Sequence, residues 1–82
     1  MQVILSKEAN KQYNKIPKSN QIKVKKKLLL LEENPLAGKK LSGKYSKLRS
    51  LKSWPYRIIY QILDKEKEVW VVSILHRQGS YK

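Results

Sequence analysis

The residues best suited to chemistry lie in the last third of the chain. The chain has only three arginines among its 19 basic residues, and Arg49, Arg57 and Arg77 all fall in this region. A guanidinium is a rigid, permanently charged fork that suits phosphate, whereas lysine is the usual choice for a merely soluble surface. We therefore expect an anion-binding site built on the segments that carry Arg57 and Arg77.

This site, with Lys52 beside the two arginines, could cleave RNA. Guanidinium groups can stabilise the charge that develops on a phosphoryl group while the ribose 2′-hydroxyl attacks its own phosphate. Nearby arginines disfavour the protonated form of a lysine, so Lys52 is a candidate base. RNA is the expected substrate because DNA lacks the 2′-hydroxyl. The alternative is a solvated basic face that keeps sheet edges from pairing.

Two residues near the C-terminus are further catalytic candidates. His76 is the only histidine, and histidine is the side chain that most readily acts as a general acid or base at neutral pH. Tyr81 could stack on a base or supply a phenol near the same face. Each also has a purely structural alternative: a packed or solvent-facing histidine, and an aromatic tail folded over the core.

Other basic and aromatic residues give weaker signals. Lys47 and Arg49 are candidates for RNA binding, since they precede the cluster on the same segment. A lysine run along a predicted helix would solvate the helix or contact phosphates without selectivity, at Lys23, Lys25, Lys26 and Lys27. Four large aromatics are assigned to the core or its rim rather than to a base-stacking platform: Trp54, Tyr56, Tyr60 and Trp70.

Composition limits the protein's class and partners. The 82 residues carry 19 Lys and Arg against 6 Asp and Glu, a net charge of +13, which predicts a nucleic acid or an acidic protein as the partner. The length predicts one domain over residues 1–82. With no cysteine, disulfides and thiolate chemistry are excluded, and no paired carboxylates, metal-ligand pattern or phosphate-binding glycine loop occurs, so no metal or cofactor is expected.

The N-terminal half predicts a strand and two helices. Gln2 to Leu5 is a short apolar strand, after which Ser6 can cap a helix that Pro17 ends. A second helix is expected from Ser19 until Asn34-Pro35. Pro35 to Lys44 is then predicted to be a mobile surface loop. No apolar run is long enough for export or membrane insertion, so a cytoplasmic protein is expected.

Three strands are predicted in the C-terminal half: 47–53, 56–63 and 69–75, with the last two forming a hairpin. Leu48 and Leu51 cannot face the same side of a regular strand, so a bulge or late strand start is expected near Lys47. Alternation places one set of residues against the helices, namely Tyr56, Ile58, Tyr60 and Ile62. On the last strand it groups Trp70, Val72 and Ile74 on one face and Val71, Ser73, Leu75 and Arg77 on the other. The fold class is α+β, with the strand and helical hairpin packed on a small antiparallel sheet.

Several short motifs in order along the chain resemble the RelE/ParE superfamily of bacterial and archaeal toxins from toxin–antitoxin modules. The resemblance covers nearly the whole chain and rests on Asn34–Pro35, Lys40–Gly43, Leu48–Lys52, Tyr56–Tyr60 and His76–Tyr81. It implies the same α+β fold. For RelE-like members it implies ribosome-dependent cleavage of messenger RNA in the decoding site, with an acidic antitoxin as partner.

The resemblance also implies roles for individual residues. Arg57 and Arg77 match the arginines that stabilise the phosphate, Tyr81 matches the C-terminal aromatic that stacks on RNA or aids proton transfer, and Lys52 matches a basic strand residue. Ser50 stands where RelE-like enzymes often carry another lysine, which leaves His76 as an alternative base.

Two other functions remain open at this stage. A ParE-like toxin with the same fold would bind DNA gyrase and carry out no RNA chemistry, because fold alone does not determine function. A non-catalytic RNA-binding module would need only the net charge of +13, and would bind with a steep salt dependence.

Overall fold

The computed structural model describes residues 1–77, apart from the Tyr45 side chain, as two helices packed on one face of a five-stranded sheet. The strands are β1 (Gln2–Leu5), β2 (Lys39–Lys40), β3 (Arg49–Ser53), β4 (Tyr56–Leu63) and β5 (Glu68–His76), and the helices are α1 (Lys7–Lys15) and α2 (Lys18–Glu33). The strand order is β1-β5-β4-β3-β2. The predicted α+β class is confirmed, with one refinement: β1 pairs with β5 in parallel, so the sheet is mixed.

Local chemistry defines the two helices much as the sequence predicted. The Ser6 hydroxyl accepts a hydrogen bond from the Ala9 amide at 3.0 Å and caps α1. Ile16 precedes a proline and is extended, with φ −76° and ψ 136°, which ends α1. α2 buries Val24 and Leu31, while Ile22 stays 60% exposed. Neither helix in the described part of the chain is long and apolar enough to cross a membrane.

α1 takes over from β1 as the neighbour of β5. β1 pairs with β5 only as far as Val71, where β1 ends. Beyond that point the Ser6 hydroxyl donates to the Val72 carbonyl at 2.7 Å, and the Ile74 amide donates to Gln12 Oε1 at 2.6 Å. Side chains of the helix therefore satisfy the backbone groups that the short strand leaves unpaired.

A β-bulge on β5 changes which of its residues face the helices. Ile59 pairs with Ser73 but Tyr60 pairs with Val71, so Val72 has no partner on β4. As a result Val69, Val71 and Ile74 join the core. The predicted grouping of Trp70 and Val72 with Ile74, and of Val71 with Ser73 and Leu75, is wrong because an inserted residue reverses the alternation.

β3 begins late, at Arg49, which confirms one of the two irregularities expected near Lys47. β4 follows its prediction: Ile58 and Tyr60 are fully buried against the helices, with Tyr56 and Ile62 packed at the margins. The segment 35–44 was predicted to be a mobile loop, and this is wrong for Lys39–Lys40, which pairs with β3 as an edge strand. Two residues are too few to give a recognisable strand pattern.

Candidate active site

The structure brings Lys52, Arg57 and Arg77 together at one end of the sheet. Lys52 on β3 and Arg57 on β4 are direct cross-strand partners, and Arg57 pairs in turn with Leu75. Paired residues on neighbouring strands project from the same face. A small cavity of about 50 Å³ lies between these side chains, and we call it the cationic cavity; it is lined by Lys52, Trp54, Pro55, Tyr56, Arg57 and Arg77.

Arg77 is held in place by the turn that joins β3 to β4. Its backbone amide donates to the Pro55 carbonyl at 2.7 Å. Its guanidinium carbon lies 4.6 Å from the centre of the Trp54 ring, a cation–π contact. Trp54 itself is 65% exposed, so its assignment to the core or its rim is wrong: it stands in the turn, where strand alternation does not apply.

The other two catalytic candidates are not part of this cavity. His76 pairs with Tyr56, so it belongs to the helix-facing side of the sheet rather than to the side of Arg57. The two rings meet edge to face with their centres 5.3 Å apart, and His76 does not line the cavity. Tyr81 lies outside the described residues.

A second depression, the β2 groove, adjoins the cationic cavity and has a volume of about 350 Å³. Its charged walls are Lys39, Lys40, Lys52 and Arg57. The Ser50 hydroxyl is buried beside it, without a hydrogen-bond partner among the described residues. Sequence reasoning did not assign Lys39 and Lys40 to the site, because their segment was predicted to be a loop. The available signal was the Lys40–Gly43 motif, which entered only as part of the family resemblance.

Arg49 has a structural role rather than a place in the cluster. It pairs with Tyr60, on the helix-facing side, and donates to the Gly38 carbonyl at 2.9 Å. The Tyr60 hydroxyl accepts from the Gly38 amide at 2.9 Å and donates to the Pro35 carbonyl at 2.7 Å. We call these contacts the Gly38 clamp. It fixes the chain just before β2 and so positions Lys39 and Lys40.

Burial of Tyr60 raises the pKa of its phenol above the ordinary value of 10.0. The hydrogen bond from the Gly38 amide and the positive charge of Arg49 act in the opposite direction, but desolvation is the larger effect. The phenol therefore stays protonated near neutral pH and can donate to Pro35.

The remaining basic candidates, apart from Lys25, line two further grooves. Three lysines of α2, Lys23, Lys26 and Lys27, form a groove of about 510 Å³ with Lys52 and Trp54, which we call the α2 groove. Lys47 and Arg49 line a separate groove of similar volume beside Gln61, so the two predicted RNA-binding residues lie apart from the cavity. Lys40 lines both that groove and the β2 groove.

The chemistry of this site is that of concentrated positive charge. Within residues 1–77 there is no group of three or more His, Asp or Glu side chains that could hold a metal ion. Lysine and arginine side chains converging on a small cavity can bind a phosphate and stabilise charge that develops on it. The β3–β4 turn and the Lys52–Arg57 cross-strand pair position these side chains, and the Gly38 clamp positions Lys39 and Lys40 in the adjoining β2 groove.

Comparison with known structures gives close matches over nearly the whole chain. A chain of the RelBE2 toxin–antitoxin complex from Mycobacterium tuberculosis matches with a TM-score of 0.85 and 26% identity, covering 93% of this chain and 96% of that one. The isolated Escherichia coli RelE toxin matches with a TM-score of 0.80 and 27% identity, covering 99% and 86%. No curated protein sequence matches the chain.

An archaeal RelE–RelB complex from Pyrococcus horikoshii also has this fold, with a TM-score of 0.78 and 22% identity over 96% of this chain and 97% of that one. At the level of sequence, a family model described as the ParE toxin of the type II toxin–antitoxin system parDE matches residues 3–81. The chain therefore belongs to the ParE toxin family, within the RelE/ParE superfamily of toxins from type II toxin–antitoxin systems.

Proposed function

We propose that this toxin is an endoribonuclease that cleaves messenger RNA in the decoding site of the ribosome and so arrests translation. The observation that carries the proposal is the convergence of Lys52, Arg57 and Arg77 on the cationic cavity. Similarity to the RelE toxin fold at 27% identity gives further support. An acidic antitoxin would neutralise the basic surface, and either a ribosomal or a gyrase target would place the toxin in the cytoplasm.

In the proposed reaction the 2′-oxygen of a ribose attacks the adjacent phosphorus while the bond from phosphorus to the 5′-oxygen of the next nucleotide breaks. Lys52 takes the proton from the 2′-hydroxyl. Arg57 and Arg77 stabilise the negative charge on the non-bridging oxygens. The leaving 5′-oxygen gains a proton from the Tyr81 phenol or, where Arg77 stabilises that oxygen by a hydrogen bond instead, from water. The products are a 2′,3′-cyclic phosphate and a 5′-hydroxyl end.

Primer extension on messenger RNA after brief induction tests the proposal. The intact protein should produce cuts within translated regions, and Arg77→Ala and Arg57→Ala should each abolish them and relieve growth arrest. Lys65→Ala is the matched control, because it removes one positive charge from an exposed turn remote from the cavity residues and should leave cutting unchanged. Undiminished cutting in both arginine variants would refute the site.

Purified toxin should cleave free RNA poorly. The candidate base is an exposed lysine and His76 does not line the cavity, so the ribosome is needed to hold the 2′-hydroxyl in line with the leaving oxygen. Incubation of a defined messenger RNA with toxin alone and with toxin plus programmed ribosomes measures the difference. Equal cutting in the two reactions would contradict ribosome dependence.

The second candidate function is inhibition of DNA gyrase without RNA chemistry. It is favoured by one specific observation, the match of residues 3–81 to the ParE family model. The same induction experiment separates the two: intact transcripts together with growth arrest and DNA damage would favour gyrase. Supercoiling assays with purified gyrase would then test it directly.

A further inference from the structure

Trp54 is an exposed tryptophan at the junction of two cationic depressions. It is 65% exposed, the highest value among the large hydrophobic residues in the described part of the chain. Trp54 lines both the cationic cavity and the α2 groove. Single exposed aliphatic residues are common on protein surfaces. Trp54 differs from such residues because it lies between two groups of cationic side chains. An anion bound by those cations would lie beside the exposed face of the ring.

The ring is held with a cation already against it. Arg77 lies 4.6 Å from the ring centre, and the Arg77 amide is tied to Pro55, the neighbour of Trp54. Most of the indole surface remains open despite this contact. A flat aromatic surface flanked by phosphate-binding cations is the combination by which proteins hold single-stranded nucleic acid, since the ring stacks on a base while the cations follow the backbone.

Lys52 links the depressions into one continuous surface. It lines the α2 groove, the cationic cavity and the β2 groove. A strand whose phosphate occupied the cationic cavity would therefore have lysines of α2 on one side and Lys39 and Lys40 on the other. Trp54 stands at the boundary between the α2 groove and the cavity, within reach of a base next to that phosphate.

We propose that Trp54 stacks on an unpaired RNA base adjacent to the phosphate bound by Arg57 and Arg77. The inference rests on the proposed function in that it takes RNA as the ligand, and it adds a residue that would determine which base is accepted. It concerns binding rather than bond cleavage, so it can be tested without catalysis.

The test is a binding cycle with a short single-stranded 2′-O-methyl RNA, which cannot be cleaved because the attacking hydroxyl is blocked. Fluorescence anisotropy measures its affinity for the intact protein and for Trp54→Ala. The same measurements are made with an oligonucleotide of equal charge whose bases are replaced by abasic spacers. Stacking on one base corresponds to about a five- to hundredfold loss of affinity in Trp54→Ala on the intact RNA.

On the abasic RNA, the intact protein and Trp54→Ala should bind alike, because the base that the ring contacts is gone. Trp54→Phe should retain affinity to within about threefold. Ile22→Ala is the matched control, since Ile22 is 60% exposed and outside these depressions. Equal affinity of the intact protein and Trp54→Ala for the intact RNA would overturn the inference. It would also fail if Trp54→Ala lowered the affinity for the abasic RNA as much as for the intact RNA, or if the intact protein bound neither RNA measurably.

A spectroscopic readout excludes a merely structural effect of the substitution. The chain has two tryptophans, so Trp70→Phe leaves Trp54 as the only one. Its emission should be quenched by the intact RNA and not by the abasic one. If an acidic peptide such as oligoglutamate depended on Trp54 as strongly as RNA does, the surface would belong to a protein partner and the inference would fail.

The binding cycle and the primer-extension experiment fail independently. If Trp54→Ala weakened binding only to RNA that carries bases, while transcripts stayed intact on induction, Trp54 would be an RNA-stacking residue in a protein that is not a nuclease. If transcripts were cut but Trp54→Ala changed binding to both RNAs equally, the proposed nuclease activity would be supported and Trp54 would have no role in RNA recognition.

Discussion

At the scale of single residues, three arginines with the same chemistry have two different roles. Arg57 and Arg77 line the cationic cavity, whereas Arg49 holds the Gly38 carbonyl. Strand alternation could predict that Lys52 and Arg57 lie together, because both follow from pairing two neighbouring strands. It could not predict the role of Arg49, whose partner lies eleven residues away in the segment preceding β2.

Tyr60→Phe should lower the free energy of unfolding by about 1–3 kcal/mol. The substitution leaves two backbone groups without their partner: the Gly38 amide, which donates to the phenol, and the Pro35 carbonyl, which accepts from it. Urea denaturation at neutral pH measures the loss. Tyr13→Phe is the control, since its hydroxyl makes one longer bond of 3.3 Å and should cost less.

The stability difference between the intact protein and Tyr60→Phe should depend on pH in alkaline solution. Burial raises the pKa of Tyr60 above its ordinary value of 10.0, so the native state keeps its proton at pH values where the unfolded chain loses it. The stabilisation is fully present below pH 10 and declines as pH rises towards the native pKa, by at most about 1.4 kcal/mol per pH unit. The stability difference between the intact protein and Tyr60→Phe should therefore shrink above pH 10; a constant difference would contradict this account.

At the scale of elements, the sequence predicted the helices and β4 but not how β5 is built. The helices have strong local signals in Ser6 and Pro17, and alternation along β4 correctly placed Ile58 and Tyr60 against the helices, although Ile59 on the opposite face is buried as well. The bulge on β5 lies within the apolar run Val69–Val72, where no polar residue marks the change of face. The hydrogen bonds beside the bulge come from Ser6 and Gln12, which are distant in sequence.

Gln12→Ala should destabilise the protein by about 1–3 kcal/mol because it leaves the Ile74 amide unpaired on the part of β5 that β1 does not reach. Gln12→Glu keeps an oxygen acceptor at the same place and should retain most of the stability. Thermal unfolding of both variants gives the comparison. Equal losses in the two would mean that packing of the side chain, and not its hydrogen bond, supports β5.

Gly38→Ala should be more damaging than Gly43→Ala, although the two glycines lie in the same connection. A Cβ at Gly38 would lie 2.7 Å from the Tyr60 hydroxyl and 2.9 Å from the Ser50 carbonyl, so the Gly38 clamp would have to open. Gly43 has open space around it but a φ of +65°, which costs an alanine about 1 kcal/mol. Denaturant unfolding should give a loss for Gly38→Ala well above that value, and equal losses would show that the clamp tolerates a methyl group.

At the scale of the whole molecule, the excess positive charge destabilises the folded state, because folding brings the basic side chains closer together. Residues 1–77 carry 18 Lys and Arg against 6 Asp and Glu, within a body whose radius of gyration is 11.8 Å over the described Cα atoms. Such self-repulsion destabilises the compact state. Salt weakens it, since the screening length falls from about 10 Å at 0.1 M to about 3 Å at 1 M. The toxin should therefore be least stable when it carries no anionic ligand at low ionic strength.

The melting temperature should rise with added potassium chloride. A variant with glutamine at Lys23, Lys25, Lys26 and Lys27 should have a higher melting temperature at low salt and a smaller rise.

Sulfate at equal ionic strength should raise the melting temperature further than chloride, because it can also occupy the cationic cavity as a phosphate would. Arg77→Ala should lose this additional increment and keep the chloride response, since it removes one cavity wall but little of the total charge. Scanning calorimetry in the two salts separates screening from site binding. A sulfate increment that survives undiminished in Arg77→Ala would contradict binding in the cationic cavity, because sulfate also stabilises folded proteins through its exclusion from their surface.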